Sequence, residues 1–252
     1  MHPSFSPCPK AMETKRKDPI ITDAKAVEIV GRIDMDYRAF VKKRTYHASI
    51  VRTYLIDKAV RDFLAVSPGG AIVNLGCGLD TRITRVDNGE LRWFDVDLPE
   101  VIDLRRKLFD ESDRVRFISK SVLDFSWIGK VKDAATGNVL IIAEGLLCYF
   151  TADEVRLIFK KLIEGFPQAT MILTVVHRCV VGKEITPGVI FKWGLDAVEE
   201  ILEIDPRIRL LEYWRTSDFF KNRQFWGMRL FAKISSKGKN LNRILKASFE
   251  NR

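Results

Sequence analysis

Two rhythms of apolar and polar positions run along this chain. Tyr46 to Val66 carries Ile50, Tyr54, Ile56, Val60, Phe63 and Leu64 at helical spacing, and Ser67-Pro68-Gly69-Gly70 stops that pattern. Before it, Ile29, Ile33, Tyr37 and Phe40 predict a helix within 20–40, interrupted by Gly31. After it, short apolar runs alternate with amphipathic segments. The runs predict strands over 71–75, 91–95, 115–119, 139–143 and 169–176. The segments between predict helices over 80–86, over 99–109 with Pro99 in the first turn, and over 153–163 behind Thr151 as N-cap. A further helix is expected over 193–202, and 208–214 and 224–233 read as late strands able to pair antiparallel. Strands alternating with helices imply a parallel sheet covered on both faces, with any ligand beyond the carboxyl ends of the strands. That rim would hold Gly76–Asp80, Asp95–Asp97, Ser121–Asp124, Glu144–Gly145 and His177.

One part of the rim carries chemistry. The first strand ends in Leu75-Gly76-Cys77-Gly78-Leu79-Asp80-Thr81-Arg82, and the second in Phe94-Asp95-Val96-Asp97. A glycine pair after one strand lets the backbone turn and a ligand come close. An acid about 20 residues on can accept from ribose hydroxyls. A dinucleotide site wants a third glycine three residues after the second, and Thr81 stands there. No Lys-Ser/Thr follows, so a phosphate-cradling loop is excluded as well. A ribose-containing cofactor without a pyrophosphate fits better, and S-adenosylmethionine is the common one.

Composition narrows the class. The chain has 252 residues, is 46% hydrophobic and 30% charged, and is therefore globular. No apolar run approaches a membrane span, and Met1 to Lys10 has no secretory core, so neither a membrane partner nor export is expected. Cys8, Cys77, Cys148 and Cys179 show no metal spacing, so no metal is expected, and they imply a reduced, cytoplasmic protein. The net charge of +9 gathers at the ends. Residues 1–18 read as a flexible leader, 19–68 as a helical cap, 69–234 as the α/β core of a single domain and 235–252 as a solvated basic tail. Deleting the tail should then spare the site. Nucleic-acid binding is the minority reading of this charge.

Taken together, Asn-Leu-Gly-Cys-Gly-Leu-Asp-Thr-Arg, Phe-Asp-Val-Asp-Leu-Pro-Glu-Val-Ile, Ser-Val-Leu-Asp and Ala-Glu-Gly-Leu-Leu-Cys-Tyr-Phe resemble the leucine carboxyl methyltransferase superfamily. Within it the chain is similar to the branch of the tetracenomycin polyketide-synthesis O-methyltransferase, from about residue 20 to 232. The resemblance implies an α/β fold of the class I S-adenosylmethionine-dependent, Rossmann-like type. Such a fold has a seven-stranded, mostly parallel sheet, its last strand antiparallel, behind an N-terminal helical cap. It implies that Gly76 and Gly78 face the methionine part of S-adenosyl-L-methionine. Asp97 then takes the ribose hydroxyls, with Asp95 as the competing choice, and Asp124 with the backbone of Leu123 meets the adenine amine. Glu144 lies near the amino group or sulfonium, and Arg52 pairs with the carboxylate. The chain is short for this family, which puts part of the lid over the acceptor in doubt.

Each position also has a plainer use. Asp97 can cap the helix at Pro99, Asp124 the segment after it, and Arg52 can sit on a solvated face. Glu144 interrupts an apolar run, where an unpaired charge is costly. A carboxylate acceptor is already ionised at neutral pH, whereas a phenol needs a base. His177, after the fifth strand, is the first candidate for that base, with Tyr149 and His47 behind it. Tyr37, Phe40, Tyr46 and Trp193 line an acceptor pocket or belong to the core. The expectation is therefore an O-methyltransferase for a carboxyl or hydroxyl of a small, apolar, polyketide-like molecule. The rivals are a protein C-terminal carboxyl methyltransferase and a catalytically weak RNA-binding relative.

Overall fold

The computed structural model describes residues 7–32, 43–135, 137–186 and 188–250. Seven strands form one sheet in the order β3-β2-β1-β4-β5-β9-β8. These are β1 (Ala71–Leu75), β2 (Arg92–Asp97), β3 (Val115–Ser119), β4 (Val139–Ala143), β5 (Thr170–Val176), β8 (Ile208–Arg215) and β9 (Asn242–Phe249). Strands β3, β2, β1, β4 and β5 pair in parallel; β9 runs against both β5 and β8. A separate two-stranded piece, β6 (Glu184–Thr186) with β7 (Val189–Ile190), was not anticipated.

The strands are apolar because both faces are covered. Ile72, Leu140, Ile142, Ile172 and Ile244 turn to one side, under Val51, Leu55, Ile56 and Val60 of α3 (Lys43–Val66). Val73, Ile141, Met171 and Leu245 turn to the other, against α6 (Ser126–Ala134) and α7 (Ala152–Gly165). Period-two alternation is present but hidden by burial on both sides. Thr151 caps α7, and Glu154 returns the bond to the Thr151 amide. Two further helices are α4 (Ile83–Val86), shorter than expected, and α5 (Pro99–Arg106).

Both ends of the chain differ from expectation. Pro7–Thr14, within the supposed leader, is a helix, α1, packed on α2 (Ala24–Gly31). Its buried Lys10 and Glu13 hold it by charge: Lys10 Nζ lies 2.7 Å from Asp80 Oδ1, and Arg223 Nη2 donates to Glu13 at 2.8 Å. The supposed basic tail contains β9, which sits between β5 and β8. Its alternate residues Leu245, Ala247 and Phe249 are buried, and Arg243 is buried too, donating to the carbonyls of Leu195 and Asp196. Residues 242–249 are therefore part of the sheet and not a solvated tail. The segment read as a strand over 224–233 is instead a helix, α8 (Trp226–Ile234), followed by α9 (Ser236–Lys239). The helix expected over 193–202 shrinks to a 3₁₀ turn, Val198–Glu203. Tyr37 and Phe40 lie outside the described residues.

Candidate functional site

The chain leaves β1 towards β2 and β3 on one side and returns through β4 and β5 on the other. The crevice between the carboxyl ends of β1 and β4 is thus the switch point of the sheet. Gly76 follows β1 there with φ 62°, and Gly78 with φ 50°. A Cβ on Gly76 would lie 2.6 Å from Leu146 Cδ1, so this backbone approach requires glycine.

Asp97 ends β2 and braces that turn. Its Oδ2 accepts from the Gly78 amide at 2.7 Å and its Oδ1 from the Leu98 amide at 2.8 Å. The side chain is half-buried, and burial raises its pKa despite the two amides. Each oxygen keeps a lone pair for a further donor. Asp95 is placed differently. It is fully buried and accepts from Trp93 Nε1 at 2.8 Å, Asn74 Nδ2 at 2.9 Å and Arg105 Nε at 2.8 Å, with Arg105 Nη2 2.6 Å away. It anchors α5 under the turn, and Arg105 Nη1 also donates to the carbonyls of Gly78 and Asp80. Of the two acids, Asp97 is the one that reaches the rim, and Asp95 is fully buried behind it.

Glu144 follows β4 and is held by two arginines. Arg52 Nε on α3 donates to Oε1 at 2.6 Å, and Arg82 Nη2 to Oε2 at 2.6 Å. Burial works to raise the Glu144 pKa, but Arg82 and Arg52 outweigh it and hold it at about 2. Arg82 has no exposed surface. It also meets Asp80 and Asp57, Asp57 in turn meets Arg85, and Arg85 meets Asp23. Lys10 completes the alternation at Asp80. Four cations thus face four carboxylates under the glycine turn, so each buried charge has a partner. Among the described residues Arg52 commits only Nε, and its side chain is 30% exposed at the rim. Its terminal N–H groups are left for an anion.

The sequence reading did not assign Arg82, Asp80, Asp57 or Lys10. Arg82 stood inside the quoted motif, but its burial gives no local signal. The bond from Lys10 to Asp80 spans 70 residues.

The other predicted residues divide. Asp124 follows β3 at the rim, where Lys120, Ser126 Oγ and the Ser126 amide donate to it and lower its pKa to about 2. These bonds turn it towards the start of α6, whose N-cap is Phe125. Leu123 packs on the core from the same loop. His177 follows β5, but its Nδ1 accepts from the Cys179 amide at 3.0 Å. Burial lowers its pKa, so the ring is neutral at pH 7 and its proton sits on Nε2. The free nitrogen is then a donor. Asp196 Oδ1 lies 3.4 Å from the same Nδ1, so a carboxylate stands beside the ring. Tyr149 lies on a 3₁₀ turn after Glu144, its ring 5.5 Å edge-to-face from Phe191. Burial pushes its hydroxyl up to about 12, so it too donates. His47 is turned to the carbonyls of Phe219 and Phe220, 3.0 and 3.2 Å from Nε2. Tyr46 donates to Glu13, and Trp193 joins the core. Among the described residues no group of acids, histidines and cysteines is arranged to hold a metal ion.

The crevice fits S-adenosylmethionine. Gly76 and Gly78 hold the turn in the left-handed region that favours glycine, Asp97 keeps carboxylate lone pairs at the strand end, and Arg52 keeps terminal N–H groups uncommitted among the described residues.

The sequence comparisons agree. Residues 7–163 match the family model of leucine carboxyl methyltransferases. The chain is 30% identical over 218 residues to the tetracenomycin polyketide synthesis O-methyltransferase TcmP of Streptomyces glaucescens, covering 83% of this chain and 80% of that one. It is 30% identical over 172 residues to the S-adenosyl-L-methionine-dependent methyltransferase dpfgK of Gibberella zeae, covering 62% and 58%. Magnesium protoporphyrin IX methyltransferase from Synechocystis PCC 6803, solved with bound SAH, shares the fold at 12% identity. Its TM-score is 0.51, with 90% of this chain and 93% of that one covered. The chain belongs to the leucine carboxyl methyltransferase family and is an S-adenosylmethionine-dependent methyltransferase.

Proposed function

We propose that this enzyme methylates an oxygen of a small, apolar acceptor, and that the oxygen belongs to a carboxylate. S-adenosylmethionine, when bound, supplies a methyl group on a positive sulfur. Gly76 and Gly78 lie against its methionine part, Asp97 accepts from the ribose hydroxyls, and Leu123 and Asp124 meet the adenine edge. Arg52 pairs with the carboxylate, while Glu144, fixed by Arg82, sets a negative charge beside the amino group and sulfonium. The protein's contribution to rate is alignment of acceptor oxygen, methyl and sulfur, with water kept out.

The observation that carries the choice of acceptor is the state of the two candidate bases. His177 spends its lone pair on the Cys179 amide, and the Tyr149 hydroxyl is held protonated. Both are donors. Donors suit an acceptor that arrives as an anion and loses no proton, which is the case for a carboxylate becoming an ester. His177 and Tyr149 then act by holding the acceptor or shaping its entrance. The four cysteines are unpaired, and burial pushes the Cys148 thiol up to about 12, which suits a reducing cytoplasm and leaves it no role as nucleophile.

A screen of small carboxylic acids and phenols with labelled methyl donor tests this reading. Label is expected in base-labile esters. Label only in phenol ethers, or only in peptide termini, would replace it.

A further inference from the structure

The connection from β8 back into β9 does work that the methyl-transfer site does not use. Its helix α8 leaves large apolar side chains in solvent: Trp226 is 72% exposed and Ile234 73%, with Leu230 and Phe231 also exposed. Trp226, Leu230 and Ile234 are spaced by four and form one stripe, while no residue of the helix is buried. Arg229 and Lys233, also four apart and exposed, run along one flank of that stripe. The helix is about 13 Å long at 1.5 Å per residue, so stripe and flank are each a compact patch.

A second observation comes from charge. From Phe219 to Phe249 the sequence contains no Asp or Glu. Lys221, Arg229, Lys233, Lys237 and Lys239 in that stretch are all exposed. An apolar stripe with an indole at its head, flanked by cations with no acid in the segment, is the composition of a helix that lies in a bilayer interface. Its indole and aliphatic side chains enter the acyl boundary, and its lysines and arginines meet lipid phosphates. A nucleic acid would use the cations but leave Leu230 and Ile234 in water. A second copy of this chain would oppose like charges.

We propose that α8 and the basic residues around it dock this protein reversibly on an anionic membrane surface. The helix carries no spanning role: no described helix is long and apolar enough to cross a membrane. This changes the expectation of no membrane partner, which rested on the absence of a spanning run. Strand β8 is parallel to β5, so the connection starts from the rim. Docking would therefore turn that edge of the sheet towards the lipid.

The test is co-flotation of the full chain with vesicles of phosphatidylcholine alone or mixed with phosphatidylglycerol, at about 0.1 M and about 0.5 M salt. Binding to the mixed vesicles at low salt is expected, with roughly tenfold loss at high salt, on neutral vesicles and in Leu230→Asp/Ile234→Asp. Thermal unfolding of that double variant should match the parent, because both side chains are exposed. No flotation with anionic vesicles would overturn the proposal, as would flotation indifferent to the double substitution. So would a concentration-dependent dimer that the substitution abolishes, or RNA binding without vesicle binding.

Discussion

The two sides of the switch point are built on different principles. On the β1–β2–β4 side, three acids near the crevice are held by other groups: Asp97 by the Gly78 and Leu98 amides, Glu144 by Arg52 and Arg82, Asp95 by Arg105. Further along the rim, Tyr149 in the connection after β4 keeps its phenol proton and His177 after β5 accepts from the Cys179 amide, and beyond them lies the exposed stripe of α8. A methyl donor of constant structure can be met by a rigid, charge-compensated wall. An acceptor that is apolar and already ionised asks for little chemistry, so the second side is free to differ. On the proposed function, pre-set electrostatics serve the methyl donor and placement serves the acceptor.

Replacing Arg82 should break the first side most severely. Arg82→Met strands Asp57, Asp80 and Glu144 without their shared cation and should cost about 3–5 kcal/mol of stability in denaturant unfolding. A loss under 1 kcal/mol, within the range of exposed pairs, would mean that the network is not held as described.

Acid is a gentler probe of the same wall. The folded-state pKa of Glu144, about 2, lies below its ordinary value of 4.5. Its contribution to stability is therefore complete above 4.5 and is lost as pH falls from there towards about 2. Thermal melts across that window should decline, and Glu144→Gln should flatten the decline. An equal slope in the variant would assign the acid sensitivity elsewhere.

The two acids of β2 sharpen the contrast between contact and support. Asp97→Ala should weaken binding of S-adenosylhomocysteine by about 1–3 kcal/mol in calorimetric titration with little change in folding. Asp95→Ala should act the other way round, lowering stability first. Loss of affinity in the second and not the first would reverse their roles.

The smallest effect is expected on the acceptor side. His177→Gln should leave turnover within about threefold and the pH profile unchanged, whereas loss of a general base costs about 10²–10⁴. A profile that loses its acidic limb in this variant would make His177 the base after all.

What could be read from residues alone follows from how local each cause is. The parallel strands, the glycine turn and the Thr151 cap depend on neighbours in sequence and were legible. Asp97 and Glu144 were legible because each follows a strand whose end the apolar run marks. The ends of the chain were not. Helix α1 has a buried lysine and a buried glutamate whose partners lie 70 and 210 residues away, and no local pattern encodes that. Strand β9 carries Arg243 and Lys246 among apolar residues, and charge there suggested a tail. The amphipathic run of α8 alternates closely enough in its middle to pass for a strand. The surroundings of His177, a backbone amide two residues away and Asp196, leave no trace in composition.

One consequence follows from the place of β9. Among the described strands β8 pairs with β9 alone, yet ribosomes make β8 first. For the time needed to synthesise the intervening helices, β8 has no ladder to join and β5 has an open edge. The last pairing brings Thr170 against Ser248, a wide loop to close and a slow kind of contact to form. The nascent enzyme thus carries a sticky edge until its final strand is threaded between two waiting ones.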